Sequence, residues 1–162
     1  MAAENEAARP TDVLTEIIQI GVVVPDIDKS IEGMRQVYGI EPDFVKETKY
    51  PELRYRGEVV DSWARIASYS HFGVRIEFME PAGPDASMQK DFLRENPYGH
   101  ALHHIRFNDV ENNDVVTSLM KERGVEVYQE GKSVVNPDGK FTFYDTLSQI
   151  GFITEVVTKA KG

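Results

Sequence analysis

Four polar side chains that stand inside strongly apolar stretches are the residues of this 162-residue chain best suited to chemistry. They are Gln19, Glu77, His104 and Glu155, and each is next to a branched or aromatic residue of the kind that forms buried strands. Two carboxylates, an imidazole and an amide oxygen make a mixed oxygen and nitrogen donor set. Such a set suits a divalent transition metal better than it suits a tetrahedral structural zinc site.

The spacing of these residues indicates an internal repeat. From Gln19 to Gly39 the sequence runs 20 residues, through an apolar strand pattern and an amphipathic helical pattern, and from His104 to Gly124 it again runs 20 residues. A repeat of this kind predicts two copies of one supersecondary unit. Taken singly, each polar residue is more often an ordinary hydrogen-bonded or solvent-facing strand residue. The repeat is therefore the observation that groups the four residues into one site.

The last strand of each copy carries the matching acid. Glu77 follows a serine by seven residues and Gly73 by four, and Glu155 follows a serine and Gly151 at the same two distances. If the two copies pair about a pseudo-twofold axis, all four polar side chains converge in one cleft.

Hydrophobic periodicity predicts the elements that position these residues. A branched run at 17–24 predicts a strand, and apolar residues at helical spacing over 27–37 predict a helix. The same order returns at 102–107 and 112–123. The pattern predicts an α+β fold.

We therefore expect two tandem βαβββ modules that curl one mixed sheet around a metal-binding cleft. Module one covers about 15–98 and module two about 99–160, and together they form a single domain. Residues 1–14 are small and polar, and we expect a flexible N-terminus there.

The composition excludes several classes of protein. Lys and Arg number 18 against 27 Asp and Glu, a net charge of −9, which argues against non-specific nucleic-acid binding. The absence of Cys excludes disulfides, thiolate zinc sites and a cysteine nucleophile. No apolar run is long enough to span a membrane, and the first ten residues lack the apolar segment of a signal peptide. The expectation is a cytoplasmic protein.

Three stretches resemble the vicinal oxygen chelate superfamily, also called the glyoxalase/bleomycin resistance/dioxygenase superfamily. They are residues 19–26 (QIGVVVPD), 75–81 (RIEFMEP) and 102–105 (LHHI). Within the superfamily the chain is most similar to the methylmalonyl-CoA epimerase group. The resemblance covers most of 17–157 and is weakest over 41–65.

The resemblance implies one divalent metal ion (Co, Ni, Mn, Zn or Fe) bound by Gln19, Glu77, His104 and Glu155. It also implies that Glu155, which can be both ligand and base in this family, moves the proton. One position departs from the group's pattern, because typical epimerases carry His where this chain has Gln19. The set Gln, Glu, His and Glu is the one found in eukaryotic-type glyoxalase I.

Three functions are compatible with the resemblance. The first is a metal-dependent epimerase or isomerase that moves a proton α to a carbonyl through a metal-stabilised enolate, on a small-molecule substrate such as an acyl-CoA. The second is a glyoxalase I-like lactoylglutathione lyase, and the third is a non-catalytic small-molecule binding protein of the same fold. A homodimer is expected, because open sheets commonly bury an edge or a face against a second copy. Neither a membrane nor a nucleic acid is an expected partner.

Epimerisation also needs a second proton-transfer group on the opposite face of the substrate. Glu52, Glu58 and Asp61 are the acids available in the variable middle segment, although a solvated acidic loop is the commoner interpretation. His103 neighbours His104 and is expected to point to the other face of the strand, in a packing role. The middle segment also carries basic residues, and at least one of them could contact the ligand. These basic residues are Lys46, Lys49, Arg54, Arg56 and Arg65.

Overall fold

A computed structural model describes residues 8–99, 101–134 and 136–160 of the chain. Within them, ten strands form one sheet in the order β2-β5-β6-β1-β7-β10-β9-β8-β3-β4. The strands are β1 (Ile17–Val23), β2 (Phe44–Thr48), β3 (Arg54–Tyr55), β4 (Glu58–Val59), β5 (Trp63–Tyr69), β6 (Arg75–Ala82), β7 (His104–Phe107), β8 (Val127–Lys132), β9 (Lys140–Tyr144) and β10 (Ile153–Val157).

The centre of the sheet has pseudo-twofold symmetry. Strands β1 and β7, the first strands of the two modules, pair antiparallel with Ile20 opposite Ile105. Each of them pairs in parallel with the last strand of its own module, β1 with β6 and β7 with β10. The predicted α+β architecture of two βαβββ modules around a curved mixed sheet is therefore confirmed.

Four α-helices accompany the sheet in the described part of the chain. They are α1 (Ile27–Tyr38), α2 (Met88–Glu95), α3 (Asn113–Lys121) and the short α4 (Leu147–Ile150). Of these, α1 and α3 occupy matching places, directly after the first strand of each module. Asp26 caps the start of α1 by accepting a hydrogen bond from the backbone N–H of Lys29, and Asn112 caps α3 in a similar way. Gly39 and Gly124, which mark the repeat in the sequence, both adopt positive φ after their helices (69° and 73°).

Alternate residues along the strands divide the core into two layers. On the convex face, α1 packs against Ala67, Tyr69 and their neighbours in β5 and β6, while α3 packs against Tyr144 and Val156. The other set of side chains, including Glu77 in β6 and Glu155 in β10, faces the concave side. The two-residue alternation of strands thus places the predicted ligand residues on the face opposite that covered by α1 and α3.

The loop between β2 and β5 joins the two ends of the sheet. Residues 49–53, here called the strap, lead from the edge strand β2 to the hairpin of β3 and β4, which pairs with β8 of module two. Tyr50 of the strap packs against the apolar clusters of both modules, with its ring centroid 4.5 Å from that of Phe141. The backbone carbonyl of Pro51 accepts a hydrogen bond from the N–H of Lys132. The strap therefore spans the cleft between the modules.

Pro10–Asp12 forms a 3-10 turn, and Leu14 is buried in the core. The flexible N-terminus predicted for 1–14 stays a prediction, and residues 1–7 of it lie outside the described residues. Strand β6 continues through Pro81 to Ala82. Glu58–Val59 pairs in the hairpin, and β5 begins at Trp63.

No helix among the described residues has the combined length and apolar character that crossing a lipid bilayer requires.

Candidate active site

The four predicted ligand residues lie on the four central strands of the sheet. Glu77 is on β6, Gln19 on β1, His104 on β7 and Glu155 on β10. Gln19, Glu77 and Glu155 line one central cavity of about 200 Å³, and His104 contacts Glu155 beside it. Gln19 and Glu155 are buried, with 3% and 7% of their surface exposed, and His104 is completely buried.

A glycine creates the space that His104 occupies. Gly21 pairs with Glu77 on one side and with His104 on the other. A Cβ on Gly21 would collide with the imidazole ring of His104, so the ring lies directly over the Gly21 backbone. The sequence Gln19-Ile20-Gly21 thus supplies both a polar side chain and the gap next to it.

His104 and Glu155 direct unsatisfied atoms at each other. The Nε2 of His104 lies 3.4 Å from Oε2 of Glu155, and both atoms are buried without a hydrogen-bond partner among the described residues. On the other edge of the ring, Nδ1 of His104 is 2.8 Å from Nδ1 of His103. One of these two Nδ1 atoms must carry a proton. If His104 donates it, the lone pair on Nε2 of His104 faces the carboxylate.

His103 itself packs away from the cavity. Its ring is fully buried and meets Phe92 of α2 edge-on, with the centroids 5.0 Å apart. Burial lowers the pKa of His103 to about 3 and that of His104 well below its ordinary value, so both rings are neutral near pH 7.

The two carboxyl groups of the cavity hold their protons unusually strongly. Burial raises the pKa of Glu77 to about 7, and the nearby positive charge of Arg106 opposes this effect. Burial likewise raises the pKa of Glu155 to about 8, opposed by Arg106 and reinforced by the negative charge of Glu77. Carboxyl groups with pKa values near neutrality can both accept and release a proton at physiological pH.

These donors suit a divalent metal ion in part. The facing Nε2 of His104 and Oε2 of Glu155 lack hydrogen-bond partners among the described residues, and a bound cation would satisfy both atoms. Gln19 and Glu77 offer further oxygens to the same cavity. However, no group of three or more His, Asp or Glu side chains in the described ranges is gathered closely enough to hold an ion as it stands. The predicted set of Gln19, Glu77, His104 and Glu155 therefore stays a prediction.

Arg106 is a cavity residue that the sequence analysis missed. It pairs across the sheet with both Gln19 and Glu155, and it lines the cavity with only 22% of its side chain exposed. The repeat contained the signal, because Gln19-Ile20-Gly21 corresponds to His104-Ile105-Arg106. Module two thus carries a buried cation at the position where module one carries the glycine.

None of the three acids proposed as the second proton-transfer group lines the central cavity. Glu52 is exposed and forms an ion pair with Lys132 at 2.8 Å, Asp61 is exposed and lies beside Lys49, and Glu58 is exposed on the hairpin. Three hydroxyl-bearing residues do line the cavity, Thr48, Ser133 and Tyr50 of the strap, and Tyr50 carries the phenol. Burial, together with the charges of Glu77 and Glu155, raises its pKa well above the ordinary value.

Of the basic residues in the middle segment, Lys46 lines the cavity. Arg65 instead forms two hydrogen bonds, of 2.8 Å each, with the carboxylate of Asp28. Arg56 lies over the ring of Tyr128, with 4.4 Å between the guanidinium carbon and the ring centroid. The predicted basic rim thus contributes one side chain to the cavity, and Arg75 and Arg106 supply the others.

The sequence matches the family model of the Glyoxalase/Bleomycin resistance protein/Dioxygenase superfamily over residues 18–143. This span covers most of the chain and includes Gln19, Glu77 and His104. The chain belongs to this superfamily, and the resemblance inferred from the sequence is confirmed. A search of proteins with curated functions finds no significant match.

Solved structures of methylmalonyl-CoA epimerases share the fold. The Streptomyces coelicolor protein, a point variant in complex with 2-nitronate-propionyl-CoA, is 25% identical, with a TM-score of 0.60 over 91% of this chain and 99% of that chain. A methylmalonyl-CoA epimerase in complex with methylmalonyl-CoA and NH4+ is also 25% identical, with a TM-score of 0.60 over 91% and 96%. The Mycobacterium tuberculosis protein, at 16% identity, a TM-score of 0.61 and coverage of 92% and 91%, resembles this chain in fold alone.

Proposed function

We propose that the protein is a metal-dependent epimerase or isomerase that moves a proton α to the carbonyl of a small acyl compound such as an acyl-CoA. The observation that carries the proposal is the pair of orphaned atoms on His104 and Glu155, which border a cavity that Gln19 and Glu77 also line. The likeness to methylmalonyl-CoA epimerases supports the same reaction class.

In this proposal one divalent metal ion is held by Gln19, Glu77, His104 and Glu155, and it supplies Lewis-acid stabilisation of negative charge on the substrate oxygens. His103 supports the site by fixing the orientation of the His104 ring through the Nδ1 contact. The cavity, at about 200 Å³, holds an acyl group, whereas a nucleotide carrier remains outside.

Glu155 is the proposed base. Its carboxyl group reaches the cavity and is almost completely buried, so an ionised oxygen there is poorly solvated and readily accepts a proton. Tyr50 is the proposed second proton-transfer group. It belongs to the strap, whereas Glu155 stands on the sheet, so the two groups approach the cavity from different elements. The raised pKa of Tyr50 keeps its hydroxyl protonated and suited to act as an acid.

A glyoxalase I-like lyase is the second candidate, because Gln19 completes the donor set that the resemblance associates with that enzyme. Solvent proton exchange separates the two functions. We expect metal-loaded protein in deuterated water to incorporate deuterium into the α position of methylmalonyl-CoA. Conversion of the hemithioacetal of methylglyoxal and glutathione, without exchange into the thioester, would indicate the lyase.

Absence of both reactions in metal-loaded protein would favour the third interpretation, a binding protein without catalysis. The expected homodimer also stays a prediction, which light scattering at micromolar concentration can check. A monomer at that concentration would contradict it.

A further inference from the structure

Two buried polar residues of the central cavity have no role in the proposed reaction. Thr48 is the last residue of β2 and Gln89 belongs to α2, and both line the cavity. Only 4% of the surface of Thr48 and 5% of that of Gln89 are exposed. Buried polar side chains normally have hydrogen-bond partners, so the partners of these two residues indicate what they do.

The strand register separates both residues from the proposed reacting end of the cavity. Through β5, Glu77 on β6 is level with Phe44 of β2. Thr48 is four residues beyond Phe44, which is about 13 Å along the strand. Gln89 lies towards the same end, since its Nε2 is 4.0 Å from Sδ of Met79, the next residue after Glu77 to face the cavity from β6.

A backbone group fixes the orientation of the Gln89 amide. Oε1 of Gln129 accepts a hydrogen bond from the backbone N–H of Met88 at 3.1 Å. Nε2 of Gln129 is therefore the atom that donates to Oε1 of Gln89, at 3.3 Å, and Nε2 of Gln89 is left to face the cavity. Its partner among the described residues is the Sδ of Met79, a weak acceptor. An N–H group of Gln89 is thus available to a molecule in the cavity.

The hydroxyl group of Thr48 is also available. Its oxygen is buried and has no hydrogen-bond partner in the part of the chain that the structure describes. A threonine in this state costs free energy relative to a valine, which has nearly the same shape. Because a hydroxyl group can rotate to suit its surroundings, it can donate to an acceptor in the cavity. Thr48 and Gln89 therefore offer unused donors to the same end of the cavity.

The cationic side chains of the cavity are grouped near Glu77 instead. Burial raises the pKa of Glu77 to about 7, and three positive charges oppose this effect, those of Arg106, Arg75 and Lys46. The Nζ of Lys46 lies 4.7 Å from the ring centroid of Phe44, which is level with Glu77. An anionic group of a ligand would therefore bind at that end, whereas the neutral donors of Thr48 and Gln89 suit an uncharged oxygen.

We propose that Thr48 and Gln89 form a specificity-determining subsite that donates hydrogen bonds to an uncharged ketone or hydroxyl oxygen at the far end of the acyl chain of the ligand. The inference rests on the proposed function for the reacting end, and it adds that the acyl chain extends beyond the α carbon and is oxygenated away from it. An alkyl chain of the same length would leave both donors unsatisfied. The subsite therefore selects oxoacyl and hydroxyacyl groups over alkyl groups.

The test compares pairs of N-acetylcysteamine thioesters of 2-methylacyl chains, in a series of increasing chain length. One member of each pair has a ketone next to its terminal methyl group, and the other has a methylidene group (=CH2) in place of the ketone. Calorimetric titration uses the full chain, once after EDTA treatment and once with saturating Zn2+, because neither donor is a proposed metal ligand. We expect the ketone of at least one chain length to bind about tenfold more tightly than its methylidene counterpart under both conditions.

Thr48→Val and Gln89→Met remove the donors with little change in shape. Each should reduce the preference for the ketone to about threefold or less, because one of two hydrogen bonds is lost. Thr117→Val is the matched control, because the hydroxyl of Thr117 lies 2.8 Å from that of Tyr144 and outside the cavity lining. This variant should keep the full preference.

The stability of Thr48→Val distinguishes a binding role from a structural one. The substitution removes an unpartnered polar group, so without ligand the variant should melt at the wild-type temperature or above it. A lower melting temperature would show that the hydroxyl serves the fold and would overturn its role in binding. Equal binding of both members of every pair by the wild-type protein would overturn the whole proposal, and so would an unchanged preference in folded Thr48→Val and Gln89→Met proteins.

These measurements involve no turnover, so they separate the inference from the proposed function. A preference for the ketone probes without α-proton exchange would support the subsite and contradict the epimerase. Exchange without any preference would do the reverse.

Discussion

The imidazole of His104 occupies the space that a side chain on Gly21 would fill. These residues face each other on the antiparallel central strands of the two modules, so the first module provides the gap and the second provides the ring. The position of the His104 ring on β7 therefore depends on the absence of a side chain at Gly21 of β1.

Gly21→Ala should displace His104 and separate its Nε2 from Glu155. Because backbone and ring are both buried, we expect a large loss of stability, about 1–3 kcal/mol as for an overpacked core, and loss of metal binding. Chemical denaturation and metal titration measure the two effects. Gly33→Ala is the matched control, since nothing lies within 4 Å of a Cβ at that helical position. It should stabilise the protein by roughly 0.5–1 kcal/mol. Equal behaviour of the two variants would contradict the role of Gly21.

Removal of single proposed ligands should rank the donors. Glu77→Ala and His104→Ala should each abolish metal binding, because the loss of a strong donor leaves too few. Gln19→Ala should weaken it less, since a neutral amide oxygen is the poorest donor of the set. Calorimetric titration with Co2+ and Zn2+ tests the order. Full metal affinity in His104→Ala would exclude the proposed site.

Glu155→Gln separates metal binding from proton transfer. The amide keeps an oxygen donor but cannot act as a base. We expect the variant to keep appreciable metal, while deuterium exchange into an α-substituted acyl thioester falls by roughly a hundredfold or more. Exchange at the wild-type rate in a metal-loaded variant would assign the base elsewhere, and Tyr50→Phe would then be the first variant to compare.

The stability of the metal-free protein should depend on the ionisation of Glu155. In the unfolded chain this carboxyl group ionises near its ordinary pKa of 4.5, whereas in the fold burial raises the pKa to about 8. Between these values the folded state binds the additional proton, so its stabilising contribution is complete below pH 4.5 and is lost as the pH rises to about 8. Glu155→Gln has no such group.

We therefore expect Glu155→Gln to match the wild-type protein in melting temperature at pH 5 and to exceed it at pH 9. His103 and His104 have lowered pKa values, so they make stability rise with pH, the opposite of the effect of Glu155. Both proteins contain these histidines, and comparing the two proteins removes their contribution. With a saturating divalent metal, the difference in melting temperature between the two proteins should no longer change with pH, because the ion favours the ionised carboxylate. A constant difference across the pH range would show that Glu155 ionises normally in the fold.

A half-buried carboxylate should anchor the hairpin of β3 and β4. Asp91 on α2 accepts hydrogen bonds from the hydroxyl groups of Tyr55, at 2.5 Å, and Tyr128, at 2.7 Å. Asp91→Ala removes the shared acceptor and should increase hydrogen exchange at residues 54–59 by about tenfold, equivalent to about 1.4 kcal/mol. Glu95→Ala, an exposed acid on the same helix, is the control and should leave the exchange of the hairpin unchanged.

The amino-acid sequence was enough to predict the two-module architecture and three of the polar residues that line the cavity, Gln19, Glu77 and Glu155. Periodicity and helix-stopping glycines are local signals, and the repeat adds that Gln19 and His104 are equivalent, as are Glu77 and Glu155. These equivalent residues lie near the pseudo-twofold axis because the strands that carry them are the central strands, with the axis passing between Ile20 and Ile105.

The surroundings of these residues could not be predicted from the sequence, because they depend on contacts between distant segments. The hairpin was missed because its partner, β8, lies about 75 residues further along the chain, and its Arg56-Gly57 turn is a weaker signal than Asn-Gly. The Nε of Arg106, which has no partner among the described residues, and the raised pKa values of Glu77 and Glu155 depend on burial by elements from both modules. The burial of a residue and the electrostatic field around it depend on contacts from the whole fold. A local pattern of residue types does not reveal those contacts.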